Sequence, residues 1–378
     1  MSPTPEAMAQ TAIKNVHIFD GNKFSDITTV FVNDGKITLK EADCETITVD
    51  GAGGYLIPGL IDCHTHVLTQ SSLEEITSYG VTTVLNMARR VYSSGDELRN
   101  KPGLASWLTA GIPAVAPRTT HARLLGFYRS NLITSTDQVP QVISEAFSNG
   151  SDYYKIIAAA PNGVSQEIQD SLVEAIHHKG KKSMTHAADL ESFKQAIESK
   201  TDSIQHLASD GLLTQEMIAQ IASQGQSVTP TMIFFKITFQ SWLLKIIRGS
   251  TFSKGNYDRL RANVRALHEA GVPVLAGSDS VGANPIINLP HGIMLHQELE
   301  NLVDAGFTPA EALRAATSQA AKFHDLDDRG VIEEGRRADL VLLQANPLDD
   351  ITNTRLITHI WSGGVLFQKT PRYFCQIL

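Results

Sequence analysis

The stretch "YLIPGLIDCHTHV", residues 55–67, runs apolar for most of its length and closes on two histidines one residue apart. Along a strand, side chains alternate faces, so His64 and His66 point one way and Cys63 and Thr65 the other. Two imidazoles held together at a strand end suit one metal ion. They also suit a solvated strand tip. These two residues leave both readings open, and the rest of the chain decides.

Seven further short apolar runs follow: "TTVLNMA" (82–88), "IPAVAP" (112–117), "YYKIIAA" (153–159), "KSMTHA" (182–187), "SIQHLA" (203–208), "SVTPTMI" (227–233) and "PVLAGSD" (273–279). Helical periods separate most of them. "SQEIQDSLVEAIHHKG" starts at a cap, Ser165, sets Ile168, Leu172 and Ile176 on one face and stops at Gly180. "TQEMIAQIASQG" runs from Thr214 to Gly225 in the same way. "TPAEALRAATSQAAKF" has Thr308 as cap, Pro309 at the first helical position and Glu311 where a capping box needs it. Eight strands alternating with helices predict an α/β chain built on a (β/α)8 TIM-like barrel.

On either side of this region the pattern is β without helix. Residues 12–50 alternate as "AIKNVHIF", "ITTVFVNDGKITL" and "ETITVD", with turn signals between. After residue 330, "GVIEEGRRADLVLLQ" and "ITHIWSGGVLF" resume it. The expected organisation is residues 1–57 and 331–378 as one small β domain, with the barrel, 58–330, inserted between them.

Composition bounds the function. The 378 residues are 42% apolar and 19% charged, with a net charge of −8 spread without blocks of one sign. That argues against nucleic acid or an anionic membrane as partner. Cys44, Cys63 and Cys375 form no CxxC pair and leave one odd, as expected for free thiols in a reducing, cytoplasmic setting. No window reads as a signal peptide or a membrane span. The terminal "CQIL" fits a loose prenylation pattern at Cys375, with no polybasic run before it.

In a (β/α)8 barrel, functional residues sit at the carboxyl ends of the strands. Collecting the metal-capable residues there gives His64 and His66, Lys155, His186, His206 and Asp279. Any one could merely line a barrel mouth. Four histidines and an aspartate on four strands at one mouth point to metal. His177, His178, His268 and His296 fall on predicted helices, His17 and His359 in the β-rich ends, and His324 after a helix; these read as packing or surface residues. His121, in "RTTHARLLGF", falls in the loop layer where a substrate would sit.

The chain resembles the amidohydrolase superfamily of metal-dependent hydrolases. The resemblance rests on "GLIDCHTH", "DYYKI", "SMTHA", "IQHL" and "AGSDS" in that order, and on the flanking "NVHIFDG" and "GVIEEGRRADLVLLQANPL". It covers roughly residues 12 to 368. Within the superfamily, "ELENLVDAGFTPAEALRAATSQAA" is similar to the imidazolonepropionase-related group, with its Xaa-Pro and Xaa-Arg dipeptidases and an ochratoxin-cleaving amidase. The resemblance implies a β-sandwich for the small domain and two zinc ions in the barrel. His64, His66 and Asp279 would hold one zinc, His186 and His206 the other, and a carboxylated Lys155 would bridge them. Lys155 falls inside its run rather than at its tip. The segment after His66 is short, and "TTH" stands where relatives carry "GGH"; both departures lie at the pocket rim and bear on substrate class.

The activity so implied is hydrolysis of an amide C–N bond, of non-standard peptide or N-acyl amino acid type, by metal-activated hydroxide. Asp279 would take the proton and pass it to the leaving nitrogen. His121 would stabilise the oxyanion, and Arg118 or Arg123 would pair a substrate carboxylate. The same site supports lactone or cyclic-amide hydrolysis, or decarboxylation or cyclisation of a specialised metabolite. A non-catalytic barrel used as a binding scaffold is the rival of another class. A small-molecule substrate and a homo-oligomeric state are expected.

Overall fold

The computed structural model describes residues 9–368 except 39, 43–44, 94, 125–131, 161, 242–253 and 284–287. Cys375, with its prenylation pattern, and Cys44 lie outside the described residues. Cys63 is a buried free thiol.

The amino-terminal strands are β1 (Gln10–Ile18), β2 (Thr28–Asn33), β3 (Lys36–Thr38) and β4 (Thr46–Pro58). The central region supplies β5 (Leu60–Thr65), β6 (Val81–Asn86), β7 (Ser106–Thr109), β8 (Tyr154–Ile157), β9 (Ser183–His186), β10 (Ser203–Gln205) and β11 (Ser227–Thr229). A short hairpin, β12 (Gly282–Ala283) and β13 (Asn288–Leu289), follows. The last strands are β14 (Leu340–Leu343), β15 (Ile357–Ser362) and β16 (Val365–Leu366).

Strands from the two ends form one seven-stranded sheet, in the order β16-β15-β14-β4-β1-β2-β3. Among the described residues these strands make one sheet, which curls, in place of the expected sandwich of two sheets. Its far edge bridges back through Lys36 to Arg337, with Ala338 N donating to Gly35 O at 2.8 Å. The curl encloses a core of its own, in which Val30 and Ile37 join Leu340, Leu342 and Trp361. The other face, through Ile57, Val341 and Leu343, belongs to the main core of the molecule. Strand alternation explains the division, since Leu340 and Leu342 face one side of β14 and Val341 and Leu343 the other.

The central strands are parallel, as their helical crossovers require. They fall into two sheets, β5-β6-β7 and β11-β10-β9-β8, rather than one closed eight-stranded ring. Isolated parallel bridges join Ala114 to Ile156, Val228 to Val274 and Thr65 to Ser280. Two sequence expectations are corrected here. The third strand is Ser106–Thr109, and the run at 112–117 contributes only bridges beyond it. The run at 273–279 meets both neighbours through isolated backbone bonds, Cys63 N to Ala276 O at 2.9 Å and Leu275 N to Val228 O at 2.9 Å, but forms no regular strand, and its backbone turns at Asp279, with φ 52°.

Helix starts follow their caps. Ser165 Oγ accepts from Ile168 N at 3.3 Å, and Thr308 forms the capping box with Glu311. The helix expected over 308–323 is broken into Pro309–Ala315 and Ser318–Phe323. The break has a partner on the sheets: Ala315 O accepts from Ala276 N, and Ala316 O from Ile61 N. Carbonyls that leave the helix ladder there bind the strands that carry the site.

Candidate metal centre

Strand β5 shows a register shift between Asp62 and Thr65 against β6. Such a bulge re-aims side chains at a strand end. His64 Nε2 and His66 Nε2 converge on Asp279 Oδ1, at 3.5 and 3.2 Å. One ligand atom from each of the three lies within 4.8 Å of the others. Rings then follow in contact: His64 to His206 at 4.6 Å between centroids, His206 to His186 at 4.4 Å, and His186 to His121 at 4.4 Å. His186 ends β9 and His206 follows β10, both at carboxyl tips. Lys155 lies inside β8, yet it lines the same cavity, of about 290 Å³, as these five histidines and Asp279.

Gln205 Oε1 accepts from His64 Nδ1 at 2.8 Å, so the ring carries its proton on Nδ1 and offers Nε2. His206 Nδ1 lies 2.8 Å from Thr231 Oγ1, leaving its Nε2 for the cavity side. Burial pushes His64 and His186 well below the usual imidazole range, which keeps them neutral and lone-pair bearing. Lys155 Nζ is buried with no hydrogen-bond partner among the described residues, and burial pushes it down to about 7. A buried ammonium with no acceptor is costly, so this amine is suited to exist in another form. The residues fit a metal centre.

Several contributors carry no sequence signal of their own. Asp62 is fully buried and ties β5 to the 273–279 run, accepting from His64 N, Ser278 N and Ser278 Oγ at 3.1, 3.0 and 2.6 Å. Its burial, against these three bonds, pushes its carboxyl up to about 7. His291, to which the sequence reading gives no role, is buried with Nδ1 2.9 Å from Ser280 Oγ, which meets Thr65 Oγ1 at 2.8 Å. Gly277 is required by close approach: a Cβ there would sit 2.8 Å from His64 Cβ and 2.5 Å from Thr229 Cγ2. His206, Thr231 and Asp279 hold φ of 71°, 48° and 52°. Left-handed backbone at three non-glycine residues concentrates strain at the site.

Arg118 and Arg123 are exposed and do not line the cavity; Arg89 and Arg90, after β6, do. Arg89 is buried and pairs with Asp96 at 2.7 Å. His296 lies on the helix Ile293–Asp304, away from the site, with Nε2 donating to Tyr79 O and Nδ1 near Thr354 Oγ1, each at 2.9 Å.

Residues 55–366 match the model of the Amidohydrolase family. The chain is similar to the imidazolonepropionase of Idiomarina loihiensis, 24% identical over 390 aligned residues that cover 91% of this chain and 93% of the relative. It is similar in fold to a Xaa-Pro dipeptidase solved with methionine in its active site: TM-score 0.81, 20% identity, 95% of this chain and 99% of that one. Ochratoxinase from A. niger gives a TM-score of 0.78 at 19% identity, with 97% of each chain covered. These solved relatives imply a TIM-like barrel fold.

Proposed function

The chain belongs to the amidohydrolase family, and from that premise we propose that it is a binuclear zinc-dependent hydrolase. Its bond is an amide C–N bond of non-standard peptide or N-acyl amino acid type. The supporting observation is the convergence of His64, His66 and Asp279, with Lys155, His186 and His206 lining the same cavity.

In this reading His64, His66 and Asp279 would hold one zinc and His186 and His206 the other, and Lys155, carboxylated to a carbamate, would offer its oxygens to both. Its depressed pKa supports this, because carboxylation needs the neutral amine. When bound, zinc would supply Lewis acidity, which lowers the pKa of water to about 7 and polarises a carbonyl. The chain's residues do the rest. An Asp279 carboxylate oxygen takes the proton of the attacking water and delivers it to the departing nitrogen. Gln205 holds the His64 ring in one tautomer. His121, packed on His186, donates a ring N–H to the oxyanion that forms at the scissile carbon. Under the same reading the chain divides at 57/58 and 330/331 into the small domain and the barrel.

The test is zinc content per chain, followed by a screen of N-acyl amino acids, dipeptides, lactones and aryl amides. About two zinc ions and turnover of an amide are expected. A protein that binds no zinc tightly and turns over none of these would be a scaffold, and the proposal would fall.

A further inference from the structure

Arg90 follows Arg89 on the loop after β6, and both line the cavity of the candidate metal centre. The two arginines differ in state. Arg89 is buried, pairs with Asp96 at 2.7 Å and lies 5.4 Å over the Trp107 ring. It holds the loop in place. Arg90 is exposed, and among the described residues no carboxylate lies within ion-pair distance of it. A guanidinium at a cavity wall with no ion pair among the described residues is available to an anion from outside.

The remainder of the wall favours the same occupant. Among the described lining residues Asp279 is the sole carboxylate, and Arg90 is the guanidinium that no ion pair there takes up, since Arg89 is held by Asp96. Leu68, Met87, Pro113, Ile157, Val281 and Leu289 supply apolar surface. Leu68 and Val281 are 37% and 39% exposed, so the apolar lining reaches the mouth. A cavity with an unpaired guanidinium at its wall and an apolar lining fits an amphiphilic anion, apolar in body and carboxylate at one end.

We infer that Arg90 anchors a carboxylate of the substrate, and that the substrate is an amide carrying a free carboxylate and an apolar body. The inference rests on the hydrolase reading above for the word amide; the carboxylate anchor stands on the cavity alone. The planar guanidinium suits a bidentate pair with a carboxylate.

The experiment is a double-mutant cycle on the zinc-loaded protein. Binding of 4-phenylbutyrate and 4-phenylbutanamide is measured by calorimetry on the parent, Arg90→Gln and Arg90→Lys. For the parent, replacing carboxylate by carboxamide should weaken binding about tenfold or more. In Arg90→Gln the two probes should differ by less than about twofold, since their coupling partner is gone. Arg90→Lys should fall between, keeping the charge but not the fork. An unchanged carboxylate preference in Arg90→Gln overturns the inference, because the anion then sits on zinc or elsewhere. So does a parent without preference, or one that binds neither probe. With a turned-over N-acyl amino acid, the Arg90→Gln loss should fall on KM rather than kcat. The two readings fail separately. Intact coupling without turnover of any amide sinks the reaction and spares the anchor; turnover without coupling does the reverse.

Discussion

At the scale of single residues, chemistry-bearing types were legible and their supports were not. His64, His66, His186, His206 and Asp279 stand out because metal-capable side chains close short apolar runs. Gln205, Asp62 and Thr231 do not, because their partners lie far off in sequence: Gln205 meets His64 141 residues away, and Asp62 meets Ser278 216 residues away. Only the fold joins them. Under the proposed ligand set, His64→Ala or His66→Ala should lose one zinc and nearly all turnover; full zinc content in both variants would exclude the pair as ligands. Gln205→Leu leaves His64 in place but frees its tautomer, so zinc affinity should drop by roughly 10- to 100-fold; an unaltered zinc titration would show that the contact is only packing. Lys155→Ala should weaken zinc binding and abolish activity, leaving room for a short carboxylate. Acetate or propionate should then restore part of the rate. A variant with two zincs and the parent rate, nothing added, would rule out the carbamate.

At the scale of elements, periodicity found most helices and strands because caps and apolar spacing are local. It missed β7 in "SWLT" and misplaced the third strand, because four residues are too few to show a period. It ran one helix across 308–323 because nothing local announces that Ala315 and Ala316 carbonyls will bind strands elsewhere. The helix Ile293–Asp304 supports a pH prediction. His296 on it is fully buried, and burial pushes its pKa down to about 4 from the usual 6.5. The unfolded chain therefore binds this proton before the folded one does. The resulting stability is present above pH 6.5 and is lost as pH falls through 4. The change is roughly 3 kcal/mol over that window. Urea unfolding of the parent at pH 7 and pH 4.5, beside His296→Asn, should show a smaller pH difference in the variant. Equal differences would place the acid sensitivity elsewhere.

At the scale of the whole molecule, the two ends of the chain share one sheet whose face outside the curl is part of the main core, through Ile57, Val341 and Leu343. Arg329, at the end of the central region, adds polar ties: it donates to Thr83 Oγ1 at 3.0 Å and Ser106 Oγ at 2.8 Å and lies 3.7 Å from the carboxylate of Asp339, next to β14. A shared core predicts one cooperative calorimetric transition. Two separated transitions would mean that sheet and central region melt independently. The organisation was legible because alternation without helical periods marks both ends of the sequence; the curl was not, since it depends on Gly35 meeting Ala338 across some three hundred residues. The left-handed backbone at His206, Thr231 and Asp279 has a further consequence, for anyone who sets out to engineer a hardier protein. Such residues are the first that a stabilising redesign would relax, for instance by placing glycine at each. Here the three flagged positions are a cavity aspartate, a cavity histidine and that histidine's neighbour. The most obvious gains in thermal tolerance are thus the ones to refuse, and a library for robustness should hold these three codons fixed.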